Sequence, residues 1–328
     1  MIFANADSRN GLYCTIVDRQ LTTGNDFCCQ WSVFVVGKLF YIGCCNSALV
    51  VQNQQKIPYI IELRAASQFP DGASCLPDGT TLAAYLAAHP GCLGTDCGKF
   101  EQFPILTKFI DAKNNLSVQV HPSNEYALEK EHQYGKTEMW YVLDCVPGAY
   151  LYYGFAHKIS KAGFAKRIKK NTLTEVLNAV PVHKGDSFFI PSGTLHAICQ
   201  GIVIAEVQQN SNVTYRVYDY GRVGADGKPR ALHIEKALDV TLRTPPQKQD
   251  FGSHLAQCAY FTVDVKNGNF NGTADEKFFV SLLITDGAGT LSCGGETVDI
   301  QKGESYFLPA GSGAYRIEGS CETLVTTV

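Results

Sequence analysis

One ten-residue segment occurs twice in this sequence, and the repeat constrains the fold more than any other feature. Residues 184–193 read KGDSFFIPSG, and residues 302–311 read KGESYFLPAG. Each copy combines a glycine turn, a short run of aromatic and β-branched residues and a Pro-x-Gly turn, which is typical of a strand between two turns. Residues 260–328 continue in the same alternation of strands and turns. The repeat therefore predicts a mainly β chain with two similar barrels in tandem.

The two copies differ in the residue three positions beyond their ends. His196 stands there after the first copy, and Ala314 stands there after the second. If the histidine only filled space, an isosteric polar residue would be its natural counterpart. The alanine therefore indicates that one barrel uses this position chemically and that the other does not.

A few helices are predicted outside the repeat. Residues 81–88 are rich in Ala and Leu, follow Thr80 as a candidate cap and stop before a Pro-Gly pair. Residues 160–179 carry apolar side chains at helical spacing, and residues 233–240 have the pattern of a further helix. The basic residues within 161–170 are interpreted as a solvated helix face in preference to a phosphate site.

Composition and charge limit the classes of partner that this chain is expected to bind. The 328 residues carry a formal net charge of −3, so nothing favours nucleic acid or an anionic membrane. The apolar stretch 31–51 contains Lys38 and internal glycines and is interpreted as buried strands, not as a membrane span. The 13 cysteines include no CxxC pair and indicate reduced thiols. Because the N-terminus also lacks the pattern of a signal peptide, we expect a cytoplasmic protein.

Four polar residues form a candidate metal site. Gln119 and His121 are two residues apart on a predicted strand, so their side chains share one face. Glu138 begins another strand, and His196 follows the Pro-x-Gly turn. Each residue alone could be a hydrogen-bonded core side chain. Together, two imidazoles, a carboxylate and an amide oxygen without thiolate indicate zinc or a similar divalent ion with an open position.

Longer motifs around these residues resemble a known family. The spacing from Gly185 through Pro191 and Gly193 to His196 resembles the second signature motif of the cupin superfamily, whose fold is a small jelly-roll barrel. Within the cupins, the chain from about residue 61 onward is similar to the type I phosphomannose isomerases of the short bacterial kind. The motifs that carry this resemblance are 116–122 (LSVQVHP), 135–141 (GKTEMWY), 190–197 (IPSGTLHA) and 206–220 (EVQQNSNVTYRVYDY).

The resemblance implies a fold, a reaction and a cofactor. It implies tandem cupin barrels with a few helices in the catalytic half. It implies interconversion of mannose 6-phosphate and fructose 6-phosphate by proton transfer between C1 and C2. By the same resemblance one Zn²⁺ is bound per chain, and its ligands are Gln119, His121, Glu138 and His196.

The resemblance also supplies candidates for the chemistry. Arg216 corresponds to the family's essential arginine, and Ser117 and Lys136 lie in motifs that the family associates with phosphate and substrate binding. Arg216 could bind phosphate or stabilise an enediolate. Lys136 could supply a point charge or act as an acid, and Glu206 could act as a base or orient the base. Alternatives stay open at each position. Arg216 could pair with Asp219, Glu206 could pair with Arg216 or Lys136, and Ser117 could be a polar strand residue.

Three regions are predicted along the chain. Residues 58–243 form the catalytic metal-binding cupin domain with a helical insertion, and residues 247–328 form a C-terminal cupin-like β domain without a metal site. Residues 1–57 form a divergent N-terminal segment, since the Trp-Gly-Gly and Glu-Ser-Trp-Glu stretches of the family are missing there. We hypothesise that this segment is a replacement or the product of a shifted reading frame.

Two other functions compete with an active isomerase. The unusual N-terminus favours a catalytically impaired or regulatory metallo-cupin that binds sugar phosphate without turnover. An iron oxygenase would also use two histidines and a carboxylate, but Gln119 and the 215–219 block fit the isomerase better. The predicted partner is a small sugar phosphate, with no nucleic acid and no membrane, for a monomer or small homo-oligomer.

Overall fold

The structure is a computed structural model, and the residues that it describes are 32–36, 39–43, 61–62, 74, 80–223 and 227–328. In these residues the chain is mainly β, which confirms the predicted fold class. None of the helices in these ranges is long and apolar enough to cross a membrane. The hypotheses about segment 1–57 lie outside the described residues, apart from the strands of one hairpin.

Short elements precede the half of the chain that carries the metal motifs. They are β1 (Ser32–Val36), β2 (Leu39–Gly43), β3 (Ile61–Glu62) and α1 (Leu82–Ala88). β1 and β2 pair with each other in antiparallel fashion. The cap of α1 is Thr81, whose Oγ1 accepts a hydrogen bond from Ala84 N at 3.1 Å. The cap predicted at Thr80 is wrong by one residue. Thr81 has the extended backbone of a capping residue, and its side-chain oxygen accepts a hydrogen bond from the first turn of the helix that follows it.

The metal-motif half comes next in chain order. Its elements are β4 (Ile105–Ala112), β5 (Val118–Val120), α2 (Asn124–Glu131), β6 (Glu138–Cys145), β7 (Tyr150–Phe155), α3 (Lys161–Lys169), β8 (Leu177–Pro181), β9 (Ser187–Ile190), β10 (His196–Ile198), β11 (Ile202–Gln209), β12 (Tyr215–Tyr218) and α4 (Ile234–Val240). One sheet has the order β12-β5-β10-β7-β8, and a second has the order β4-β11-β6-β9. β1 lies close to β4, at the edge of the second sheet.

The helix predicted over 160–179 is only half correct. α3 ends at Lys169, and Asn171 adopts a left-handed backbone with φ 54°. A 3-10 turn at Leu173–Val176 and the strand β8 then follow. The apolar spacing predicted too long a helix because Leu173 and Val176 are buried in the same core as α3, although they lie beyond its end. The helix predicted over 233–240 is confirmed by α4.

Two cores hold the first sheet in place. Between the sheets lie Trp140, Val142, Leu151 and other buried apolar side chains. On the outer face of the first sheet, Phe164 of α3 and Leu238 of α4 pack against strand residues. Burial of each large apolar side chain contributes about 1.5–3 kcal/mol, so these cores are what fixes the strands that carry the metal motifs.

The C-terminal half forms one strongly curved sheet. Its strands are β13 (Ala256–Gln257), β14 (Thr262–Asn267), β15 (Phe270–Ala274), β16 (Val280–Cys293), β17 (Glu296–Gln301), β18 (Ser305–Leu308) and β19 (Gly313–Thr327). The main order is β13-β14-β19-β16-β18-β3, with β15 added to β19 and β17 to β16. Its inner core contains Leu282, Leu291 and Ile317. A further core joins the halves, where Met139 and Val207 share a cluster with Phe307.

The two repeat copies occupy equivalent places. The first copy forms β9, which pairs with β6 so that Ile190 lies opposite Glu138. The second copy forms β18, which pairs with β16 so that Leu308 lies opposite Val280. The tandem arrangement predicted from the repeat is therefore present in the strand ladders.

Register extends this equivalence to the other candidate ligands. His196 on β10 lies opposite Gln119 on β5, and Ala314 on β19 lies opposite Thr273 on β15. The second barrel thus carries Ala314, Thr273 and Val280 at the positions that correspond to His196, Gln119 and Glu138 of the first barrel. The prediction that the C-terminal half lacks a metal site stays a prediction.

The segment that precedes the metal motifs in the chain contributes a strand to the C-terminal sheet. β3 pairs with β18, so that Ile61 lies opposite Phe307. Cys92 O accepts a hydrogen bond from Ala310 N at 2.8 Å, and Leu93 O accepts one from Phe279 N at 3.1 Å. The predicted boundaries at 58–243 and 247–328 stay a prediction, and residues 61–62, 92–93 and 95–96 form hydrogen bonds with the C-terminal half.

Candidate metal centre

Three residues from separate strands converge at one end of the first barrel. His121 follows β5, Glu138 begins β6 and His196 begins β10, and all three are fully buried. Glu138 Oε2 lies 3.4 Å from His121 Nε2, and Glu138 Oε1 lies 3.2 Å from His196 Nε2. Among the described residues these three form a group whose ligand atoms all lie within 4.8 Å of one another.

Hydrogen bonds to the backbone orient both imidazoles. His121 Nδ1 lies 2.9 Å from Val213 O, and His196 Nδ1 lies 2.8 Å from Thr194 O. A carbonyl can only accept, so each Nδ1 carries the proton and each Nε2 turns a lone pair towards Glu138. Burial lowers the pKa of His121 to about 3 and also lowers the pKa of His196, so both rings are neutral.

In this arrangement the lone pairs of two imidazole nitrogens face the carboxylate oxygens of Glu138, with no proton between them. His121 Nε2 and both oxygens of Glu138 are buried and receive no hydrogen bond of normal geometry from the described residues. Leaving a buried polar atom unsatisfied costs about 1–3 kcal/mol, more for a charged group. A divalent cation would satisfy all of these atoms together, so the donor set fits a zinc-type ion.

Gln119 lies beside this group as predicted. Its Nε2 is 3.4 Å from His196 Nε2, and Gln119 and His196 are direct partners in the β5–β10 ladder. Rotating the amide by half a turn exchanges its nitrogen and oxygen with little change of shape. Gln119 can therefore present either a donor to His196 or an oxygen to a cation.

Lys136 reaches the same group from a buried loop. Its Nζ lies 3.0 Å from Glu138 Oε2 and 4.0 Å from Glu206 Oε1. Burial alone would raise the pKa of Glu138, but the charge of Lys136 holds this pKa well below its ordinary value. Glu138 is therefore a carboxylate, as a metal ligand requires.

Glu206 is held from both sides. Its Oε2 accepts a hydrogen bond from Trp140 Nε1 at 2.9 Å, and its Oε1 lies 3.1 Å from Lys108 Nζ. Of the partners considered from sequence, Lys136 is near and Arg216 is not among the hydrogen-bond or ion-pair contacts of Glu206 within the described ranges. Both oxygens thus have a positioned donor.

Sequence reasoning missed Lys108. It lies directly opposite Glu206 in the β4–β11 ladder, and its side chain reaches into the charged group. The available signal was a lysine inside the mostly apolar run 105–110, because a charged residue in a strand with apolar neighbours usually has a buried partner.

Arg216 lies on β12, opposite Gln119 in the ladder. Its Nη1 donates to Ala231 O at 3.1 Å, and its Nε is buried without a hydrogen bond from or to the described residues. Ser117 is also buried and immediately precedes β5. Gln119 and Arg216 therefore lie on neighbouring strands of the first sheet, and Ser117 lies just before the strand that carries Gln119.

The alternative ion pair between Arg216 and Asp219 is wrong. Asp219 instead accepts hydrogen bonds from Arg230, whose Nε lies 2.6 Å from Oδ2, and from Arg222. These two arginines come from the loop between β12 and α4 and satisfy the carboxylate. Arg216 is thereby left for another role.

We expect Asp219→Asn to lower stability in a pH-dependent way. Burial by itself raises the pKa of Asp219, but Arg230 and Arg222 hold it below the ordinary value of 3.8. A depressed pKa means that the carboxylate stabilises the fold above the unfolded-state value and that this stabilisation is lost as the pH falls through the folded value. The substitution should cost about 1–3 kcal/mol at neutral pH. Urea unfolding of both proteins at pH 7 and at about pH 3 measures this, and a constant difference between them would contradict it.

A β-barrel that brings two imidazoles, a carboxylate and an amide together, next to a second barrel with an equivalent strand ladder, defines a two-barrel cupin with a candidate metal site. Residues 252–328 match the family described as mannose-6-phosphate isomerase, cupin domain. Residues 67–142 match phosphomannose isomerase type I, catalytic domain.

Known proteins narrow the class further. The chain is 38% identical over 263 residues to mannose-6-phosphate isomerase ManA of Bacillus subtilis, covering 76% of this chain and 82% of the relative. The crystal structure of the mannose 6-phosphate isomerase from Bacillus subtilis superposes with a TM-score of 0.72 at 32% identity, covering 80% of this chain and 88% of that one. The chain belongs to the type I mannose-6-phosphate isomerases, a family of enzymes, as the sequence motifs predict.

A more distant solved structure shares the fold. It is described as mannose 6-phosphate isomerase (holo; zinc bound), has a TM-score of 0.59 at 16% identity, and covers 75% of this chain and 85% of that one. At this identity the likeness concerns the fold alone.

Proposed function

We propose that this chain is a zinc-dependent aldose–ketose isomerase that interconverts mannose 6-phosphate and fructose 6-phosphate by proton transfer between C1 and C2. The observation that carries the proposal is the buried group of His121, Glu138 and His196, whose acceptor atoms face one another and whose neighbour is the buried cation Lys136. Family membership supports the substrate, because the related proteins are named for this reaction.

The metal would be held by His121, Glu138, His196 and the oxygen of Gln119, one ion per chain. Two neutral imidazoles, a carboxylate and an amide without thiolate suit Zn²⁺ and leave room for a sugar oxygen. When bound, zinc supplies a Lewis acid that stabilises negative charge on the sugar oxygens.

The proton transfer would be managed by Lys136 and Glu206. Lys136 is buried between two carboxylates, where an ammonium can stabilise an enediolate or move a proton at the sugar oxygens. Glu206 is the candidate base. Trp140 and Lys108 already donate to its two oxygens. These contacts favour a role in which Glu206 orients the base over one in which it takes the proton itself.

The phosphate and the sugar hydroxyls would be bound by cations and donors at the mouth of the barrel. Arg216 offers a forked, permanent cation whose Nε has no partner among the described residues. Ser117 immediately precedes the neighbouring strand β5 and offers a hydroxyl, and Lys108 adds an ammonium. These groups match a small, dianionic sugar phosphate.

A reducing, cytoplasmic setting is part of the proposal. In the portion of the chain that the structure describes, the cysteines are unpaired, and those at 92, 97, 199, 293 and 321 are buried. Thiols of this kind behave as small apolar side chains and persist in reducing compartments.

A coupled assay for conversion of mannose 6-phosphate to fructose 6-phosphate tests the proposal. We expect activity that disappears with a chelator and returns when zinc is added back. Metal content measured on the same samples serves as the control for loading. Folded, zinc-loaded protein that binds mannose 6-phosphate but does not convert it would contradict isomerase function and support the alternative of a sugar-phosphate-binding metallo-cupin.

A further inference from the structure

The amide-rich segment that comes after Glu206 has no role in the chemistry so far, and one of its members lies in the site. Gln208 is fully buried on β11. In the strand ladders it lies opposite Glu138 on one side and Leu106 on the other. Its side chain therefore lies close to the candidate metal ligands.

Two backbone carbonyls determine how the Gln208 amide is oriented. Its Nε2 donates to Gln209 O at 2.7 Å and to Ser211 O at 2.9 Å. A reversed amide would place an oxygen against both carbonyl oxygens, with no proton between them. Oε1 must therefore point the other way, where Lys108 Nζ lies at 2.6 Å.

Lys108 is thus held between two acceptors of different charge. Glu206 Oε1 lies 3.1 Å away and is negative, whereas the amide oxygen of Gln208 is neutral. The side chain of Lys108 is 20% exposed, whereas that of Lys136 is only 5% exposed. Of these two ammonium groups, Lys108 is the one that a solvent-borne anion reaches more easily.

The neutrality of residue 208 matters for an anionic ligand. Lys108 and Lys136 already face two carboxylates, Glu138 and Glu206. A third carboxylate at 208 would compete with phosphate for Lys108 and repel the carbonyls of Gln209 and Ser211. An amide holds the lysine in place without adding that negative charge.

We propose that Gln208 is a positioning residue that holds the Lys108 ammonium where it binds the phosphate of the substrate. The inference rests on the proposed function, since it takes a sugar phosphate as the ligand. An ammonium ordered before binding loses less conformational freedom when the phosphate arrives, so affinity for the phosphorylated substrate depends on Gln208.

A double-mutant cycle on the zinc-loaded enzyme tests the proposal. We expect Gln208→Met to raise KM for mannose 6-phosphate on the order of tenfold, the size of one lost hydrogen bond to a charged group, with kcat little changed, and Lys108→Met to raise KM at least as much. The double variant should be no worse than Lys108→Met alone, because Gln208 acts through Lys108. Losses that simply multiply would show a general structural role and overturn the proposal, as would an unchanged KM in Lys108→Met.

Gln102→Met is the matched control. It also removes an amide that donates to a backbone carbonyl of the same segment, Asn210 O at 3.0 Å, which is not one of the two carbonyls that orient Gln208. We expect its KM to stay near that of the unmodified enzyme. If Gln208→Met does not fold, Gln208→Asn retains an amide for the carbonyls while it shortens the reach to Lys108, and the same rise in KM is expected.

Direct binding separates this proposal from the proposed reaction. Calorimetric titration of the same zinc-loaded proteins with mannose 6-phosphate, and separately with inorganic phosphate, measures Kd without turnover. If the unmodified protein binds both but does not isomerise, the reaction assignment fails while the rise in Kd in Gln208→Met still supports the positioning role. Unchanged Kd values in that variant, with or without a lower kcat, would overturn it.

Discussion

Glu138→Gln is expected to abolish zinc binding and isomerase activity together. Glu138 is the residue that contacts both histidines and Lys136, at 3.4, 3.2 and 3.0 Å. The amide has nearly the same shape but no charge, so it cannot offset the charge of a divalent ion in a buried site. Zinc contributes several kcal/mol to catalysis of this type, so activity should fall on the order of a thousandfold.

Zinc per chain and activity should be measured on the same preparations. Glu304→Gln is a suitable control, since Glu304 belongs to the second copy of the repeat and contacts Gln301 and Tyr306 of the C-terminal barrel. That variant should keep both zinc and turnover. A Glu138→Gln protein with one zinc per chain and nearly normal kcat would show that the metal assignment is wrong.

Lys136→Met is expected to separate chemistry from metal binding. The ammonium of Lys136 is buried within 4.0 Å of both Glu138 and Glu206, so its loss removes the cation closest to the proposed metal ligands. Groups that move protons or stabilise an oxyanion typically contribute about 10²–10⁴-fold, and kcat should fall by roughly this factor. Zinc content should stay at one per chain, because the four proposed ligands are unchanged.

Lys184→Met provides the matched control for that experiment. Lys184 is an exposed lysine that pairs with Asp286 at 3.1 Å, and exposed ion pairs contribute roughly 0–1 kcal/mol. Steady-state kinetics on both variants should therefore show a large loss of kcat only for Lys136→Met. A normal kcat with a raised KM in that variant would instead assign Lys136 to substrate binding.

The site illustrates which parts of a fold are readable from sequence. Gln119 and His121 were recognisable because period two in a strand places residues i and i+2 on one face, and the structure brings both next to His196. The repeat was recognisable because a strand between two turns is specified locally. Lys108 and Gln208 escaped recognition because their roles depend on ladder register between strands that lie about a hundred residues apart.

Local patterns also failed where long-range packing decided the conformation. The apolar spacing of 160–179 is helical, yet the chain turns at Asn171 and then joins β7 as an edge strand. One alternative paired Asp219 with the nearby Arg216, but the loop after β12 brings Arg222 and Arg230 to that carboxylate instead. Spacing in the sequence alone does not decide between these arginines, because the path of the loop sets which of them reaches Asp219.

The sequence by itself determined the strand-rich class, the tandem repeat, the family and the residue types of the metal centre. These properties depend on side-chain chemistry and on periodicity within a few residues. Only the tertiary structure decided that Glu138 faces two neutral imidazoles, that Gln208 holds Lys108, and that Ile61 pairs with a strand of the C-terminal barrel. The physical reason is that such contacts join segments far apart in the chain, and their geometry is set by sheet register and by the packing of the shared core between the barrels.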